Sequence, residues 1–181
     1  MIKKAVLAPI LIGLGVVVNL VLGQPLGPIF FSFGLLGVCY LEAELFTGKA
    51  GYMWRNKKFE LSIILIINLI VGWAFGQIIG IMNPGLILSA TKVVSHFSWS
   101  LPYFIESLLC GMVMYVCVSL YKKKTNLGIM LGVPLFIYCG FQHSIANIIY
   151  LGLANSFNSA IILCILGNFL GSVIMNILEE V

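Results

Sequence analysis

Charge is what this sequence has least of. Of its 181 residues only 9% are charged, against 61% hydrophobic, and the mean hydropathy is +1.10. A soluble domain of this length cannot hide so much apolar surface, so the chain belongs in a bilayer. Alternation of apolar and polar residues, which a membrane β-barrel needs, is also missing; the apolar residues come in unbroken blocks of helix length. The five cysteines (Cys39, Cys110, Cys117, Cys139 and Cys164) all fall inside these blocks and show no paired metal-ligand spacing. Packing is the role that suits them, and neither a metal nor a cofactor is implied. The net charge of +4 comes from short clusters between blocks, which does not point to a nucleic-acid partner.

Six blocks can be drawn, at about 5–22, 29–54, 61–81, 101–121, 128–152 and 158–178, each long enough to cross a hydrocarbon core about 30 Å thick. Lys3 and Lys4 open the chain like the charged region of a signal peptide. No convincing cleavage site follows, so the first block reads as a retained helix. Arg55, Lys57 and Lys58 follow the second block and Lys122, Lys123 and Lys124 the fourth. With six spans these clusters share one side with Glu179-Glu180-Val181, which predicts cytoplasmic termini in the inner membrane. The stretch from Asn83 to Ser100 reads as an irregular or partly helical surface loop on the other side.

Blocks two and five carry polar, helix-breaking interruptions: Glu44-Leu45-Phe46-Thr47-Gly48 and Gln142-His143-Ser144-Ile145-Ala146-Asn147. Loose backbone groups at membrane depth are tolerated only where protein buries them or a cavity receives them. The break at Thr47 is followed 25 residues later by Gly72-Trp73-Ala74-Phe75-Gly76, and His143 is followed 24 residues later by Gly167-Asn168-Phe169-Leu170-Gly171. These echoes predict two three-helix repeats, about 1–82 and 100–181, within a single transmembrane domain covering 1–181. Three crossings reverse the starting side, so the second copy is inverted, an all-α architecture with its site between the broken spans.

His143 is the central candidate, because imidazole donates hydrogen bonds and titrates near physiological pH. Thr47 reads as a cap on a half-helix beginning near Gly48. A half-helix N-terminus also turns amides and a positive dipole end toward an anion. Glu44 and Glu106 are acids near membrane depth that need partners, with Lys49 or free amides at the break available to Glu44.

These landmarks resemble the formate/nitrite transporter (FNT) family, pentameric channels for small monovalent anions. The resemblance rests on Ala43-Glu44-Leu45-Phe46-Thr47-Gly48 and Gly140-Phe141-Gln142-His143-Ser144-Ile145-Ala146-Asn147, supported by Phe104-Ile105-Glu106 with Gly111 and by Leu166-Gly167-Asn168. It implies that Thr47 faces His143 at the centre of a substrate pathway. It further implies an outer constriction of Phe31, Leu35 and Phe136, and an inner one of Leu45, Phe46 and Val118. Glu44, Lys92, Asn147 and Asn168 become auxiliary polar residues, Lys92 drawing anions into the outer vestibule. The implied function is a channel or transporter for formate, nitrite, hydrosulfide or short carboxylates, with proton coupling through His143 as an option. The implied partners are the anion, the bilayer and further copies of the chain in a homo-pentamer. The chain departs from the family pattern at Glu42, where glycine is usual, at Lys49 and Tyr115, where asparagine is usual, and at Gln142, where glutamate is usual. It is also short for the family, without the longer N-terminal amphipathic segment.

The rival within transport is a neutral-solute pore of aquaporin or ammonia-channel type, which would bring paired Asn-Pro-Ala half-helices or twin pore histidines. Here Asn83-Pro84-Gly85 sits in a loop and His96 lies outside the spans. An enzyme would need several ionisable groups converging in one cavity, and one intramembrane histidine with scattered serines does not supply them.

Overall fold

The computed structural model describes residues 1–180; Val181, placed with the cytoplasmic cluster in the sequence reading, lies outside the described residues. Blocks one, three, four and six form α1 (Ile2–Leu22), α4 (Lys58–Met82), α6 (Leu101–Lys122) and α9 (Ile161–Glu179), each long and apolar enough to cross a membrane. At about 1.5 Å per residue, the 21 residues of α1 reach roughly 31 Å, the depth of a hydrocarbon core. Block two divides into α2 (Leu26–Tyr40) and α3 (Phe46–Met53), and block five into α7 (Leu127–Tyr138) and α8 (Ser144–Leu153). The loop before α6 is partly helical, with a 3₁₀ turn at Pro84–Leu86 and α5 at Ile87–Val94. The Ser100 side chain starts α6 by accepting the Tyr103 amide at 3.3 Å. Among the described residues there is no strand.

The two breaks are built alike. Past α2, the amides of Leu41, Glu42 and Ala43 return to the carbonyls of Gly37, Cys39 and Val38 at 2.9, 3.2 and 2.8 Å. Past α7, those of Cys139, Gly140 and Phe141 return to Leu135, Ile137 and Phe136 at 3.0, 3.2 and 2.8 Å. Glu42 and Gly140 both sit at positive φ, 51° and 72°. The Glu44 amide then reaches the Lys4 carbonyl on α1 at 3.0 Å, and the Gln142 amide reaches that of Glu106 on α6 at 3.4 Å. Leu45 (φ −96°, ψ 125°) and His143 (φ −100°, ψ 112°) hold matching extended backbones just before the half-helices begin.

A buried asparagine locks each break. Asn68 on α4 accepts the Phe46 amide at 2.9 Å and donates to the carbonyls of Ala5 and Glu44 at 2.8 and 3.1 Å. Asn168 on α9 accepts the Ser144 amide at 2.8 Å and donates to the carbonyls of Ser107 and Gln142 at 2.7 and 2.8 Å. Each asparagine satisfies backbone groups that a break leaves loose, from a third helix.

This register corrects the expected one. Leu45, not Thr47, corresponds to His143. The glycine pairs are not equivalent either: Gly72 and Gly76 lie against α8 at Ile148 and Ile149, whereas Gly167 and Gly171 lie against α6 at Ser107 and Leu108. At Gly76 and Gly171 an added Cβ would drive into a facing backbone carbonyl, so both are sites of close helix approach.

Charged groups gather at one end of the bundle. Lys4 pairs with Glu42 at 2.7 Å, Lys123 with Glu179 at 2.9 Å, and Arg55 with Glu180 at 2.5 Å. Both ends of the described chain are thus tied to this terminal end, with the Asn83–Ser100 loop away from it.

Candidate functional site

The breaks bring two half-helix N-termini together. Thr47, in the first turn of α3, places Oγ1 2.8 Å from Nε2 of His143, the residue that opens α8. Both side chains are buried, 1% and 2% exposed. The opposite face of the imidazole is committed, because Nδ1 accepts the Ala146 amide at 3.1 Å and thereby caps α8. A nitrogen that accepts carries no proton, so the neutral ring bears its hydrogen on Nε2 and donates it to the Thr47 oxygen. The threonine hydroxyl keeps its own hydrogen to offer. Beside them, the fully buried Ser144 hydroxyl has no hydrogen-bond partner among the described residues.

Thr47 is not the cap of α3, which begins at Phe46, two residues before the expected start, with no side-chain cap from Leu45. The cap comes instead from Asn68 on α4. Conversely, His143 serves as a cap as well as a central polar group. Nothing in its type announces that role, since serine, threonine, aspartate and asparagine are the usual residues there.

Apolar side chains flank the pair. Phe31 and Phe136 meet edge to face at 6.0 Å, and Phe136 stacks on the His143 ring at 5.7 Å. Leu35 lies one turn further along α2, and it lines a cavity of about 350 Å³ that also takes in Leu45, Gly48 and Val118. The structure therefore brings Leu35 to Leu45 and Val118 as well as to Phe31. Phe46 is buried but does not line that cavity. The cavity opens among Lys4, Glu42, Glu44, Lys49 and Lys122, at the terminal end. A second cavity, of about 500 Å³, is lined by Lys92, His96, Tyr103, Glu106 and Gln142 on the loop side.

The auxiliary residues divide by what they touch. Glu44 pairs with Lys49 at 3.2 Å. Asn147 donates to Gln142 Oε1 at 3.0 Å and to the Tyr103 hydroxyl at 3.2 Å, and Gln142 donates in turn to Glu106 at 3.1 Å. Asn168 acts on the break rather than on the Thr47–His143 pair. Its counterpart Asn68 is missing from the sequence reading, although a lone asparagine inside Ile66-Ile67-Asn68-Leu69-Ile70 is itself a signal of a buried partner.

No protein-family model matches the sequence. An uncharacterized transporter of Bacillus subtilis (strain 168), YrhG, is 28% identical over 149 residues, covering 70% of this chain and 56% of that protein. The match thus spans little more than half of the relative's length. A pentameric formate channel with formate bound superposes with a TM-score of 0.75 at 19% identity, over 99% of this chain and 92% of that one. A further solved structure, an FNT family ion channel, gives a TM-score of 0.78 at 18% identity, over 98% and 86%. The chain has the FNT channel fold. The family resemblance carried by the two broken motifs is therefore matched across the whole backbone. Both neighbours are channels rather than enzymes, and the FNT fold with its long apolar helices makes this a multi-pass membrane protein.

Proposed function

We propose that the chain forms a transmembrane channel for small monovalent anions, of the size of formate, nitrite, hydrosulfide or a short carboxylate. One observation carries the reading: Thr47 and His143 meet at 2.8 Å where two half-helix N-termini converge, inside a largely apolar bundle. Hydrogen-bond donors and positive dipole ends at that point suit an anion. An anion displacing the threonine oxygen receives the Nε2 hydrogen of His143 and the hydroxyl of Thr47. Phe31 and Phe136 form the constriction toward the loop side, and Leu35, Leu45 and Val118 the one toward the termini. Such collars strip water, which costs an ion heavily and its neutral acid little.

The matched bonds of Asn68 and Asn168 support two inverted repeats within one domain. The basic clusters support cytoplasmic termini. The pentameric formate channel it superposes on supports assembly as a pentamer, and one pathway per subunit is supported by both breaks coming from one chain. In this scheme Lys92 gathers anions in the loop-side vestibule, while Glu44, Asn147 and Asn168 hold the breaks in place.

The test is uptake into proteoliposomes of formate, nitrite, hydrosulfide, lactate and acetate at two external pH values, with the unmodified protein and with Thr47→Val and His143→Ala. Flux of at least one of these anions, abolished or strongly reduced by both substitutions, supports the reading. Absence of flux for all of them, or flux indifferent to both substitutions, removes it.

A further inference from the structure

The terminal-side cavity carries more than a route to the collar. Lys49 lies on α3 with its amide bonded to the carbonyl of Leu45, the residue before the helix, at 3.1 Å, and Lys122 lies four residues beyond Val118 on α6; all four side chains line the same cavity. Residues four apart share a helix face, and the rise is about 6 Å per such step. Each ammonium group is therefore seated one turn outside a collar residue, on the collar's own face. Two helices from different parts of the chain converge on this arrangement.

The charges there do not cancel. Lys4 is matched by Glu42 at 2.7 Å, and Lys49 shares Glu44 at 3.2 Å. Lys122 has no carboxylate within salt-bridge distance among the described residues. Its Nζ is held 3.0 Å from the centre of the Tyr52 ring, a contact that fixes the cation without neutralising it. Three ammonium groups thus face two carboxylates at the edge of an apolar constriction. Lys122 is exposed at that edge, so its ammonium group is open to a counter-charge from solution.

We propose that Lys49 and Lys122 form a second anion site, outside the Leu35, Leu45 and Val118 collar, where a small carboxylate or oxyanion rests on its way into or out of the pathway. The site deepens the channel reading and rests on it. It raises the local anion concentration at the terminal mouth, so the two mouths differ in apparent affinity. On the loop side Lys92 lies in a cavity shared with Glu106 and His96, without a second lysine.

The experiment measures formate flux separately from each side in oriented membranes. It compares the unmodified protein with Lys49→Gln/Lys122→Gln and Lys49→Arg/Lys122→Arg. With the loop-side values within about twofold of the original, the glutamine pair is expected to raise the maximal flux and the half-saturating formate concentration from the terminal side together, by about tenfold, because passive flux keeps their ratio equal from the two sides. The arginine pair restores the original values, because the charge and the stacking on Tyr52 both survive. A half-saturating concentration that stays put, or that rises equally from both sides, overturns the second site. Sulfate provides a measurement that needs no variant: on the terminal side of the unmodified protein it competes with formate, and lack of competition also overturns the site. Unmodified protein that carries no anion overturns the channel reading itself, a distinct result from flux that ignores the two lysines.

Discussion

Thr47 Oγ1 and His143 Nε2 share one hydrogen bond of 2.8 Å, and the second nitrogen of the same ring is already spent on the Ala146 amide. The ring is therefore a donor on one side and an acceptor on the other, the pattern of neutral imidazole. Adding a proton at Nδ1 would set two donors face to face and cost α8 its cap.

Thr47→Val tests the donor side. It leaves the buried Nε2–H without an acceptor, which costs about 1–3 kcal/mol. Anion flux measured by stopped flow is expected to fall about tenfold or more. Thr47→Ser restores the oxygen and is expected to recover most of the flux.

The acceptor side makes a statement about pH. With the ring neutral and capped, the acid limb of the uptake profile is expected to follow the ionisation of the substrate. Comparing formate with acetate therefore shifts the limb by the difference in their acid strengths. A limb fixed in place across substrates indicates instead that a protein group titrates.

Asn68 and Asn168 are expected to be of equal weight, because each holds three backbone groups at its own break. Replacing either by leucine fills the space and abandons all three partners. At about 1–3 kcal/mol for each unsatisfied buried group, the loss is about 3 kcal/mol or more. Thermal unfolding in detergent is expected to show similar falls for the two variants. Aspartate retains the acceptor but cannot make the two donations, and is expected to fall between.

How much of this was legible depends on where the signal lay. Thr47, His143 and the glutamate or glutamine before each half-helix stood out because polar residues at membrane depth need a physical reason. The register between halves was not legible from Gly72-x-x-x-Gly76 and Gly167-x-x-x-Gly171. A small residue reports only that some backbone comes close, not which one, and the two pairs face α8 and α6 respectively. The start of α3 was misplaced by two residues for a similar reason. Its cap is supplied from Asn68, 22 residues away, and leaves no mark at Leu45. Lys49 and Lys122 were visible singly, but only folding sets them in one cavity.

The position of Leu35 has a consequence for selectivity. Its side chain shares the cavity with Leu45 and Val118, so shortening it is expected to widen the collar proposed there. Leu35→Ala is expected to raise lactate flux relative to formate in proteoliposomes. A ratio unchanged by this substitution places Leu35 outside the limiting constriction.

Glu42 offers a stability test of the correspondence between the halves. It occupies the place held by Gly140 in the second break, and both have positive φ. A side chain there crowds the following carbonyl, whereas glycine does not. Against that relief stands the pair with Lys4 at 2.7 Å, whose side chains are 45% and 79% exposed. Water and salt screen a pair so exposed, and such pairs contribute little. The backbone term is therefore expected to win: Glu42→Gly raises the melting temperature in detergent, and Gly140→Glu lowers it. Lys4→Met separates the two effects, since it removes the pair while leaving Glu42 in its strained conformation, and it is expected to change the melting temperature least of the three.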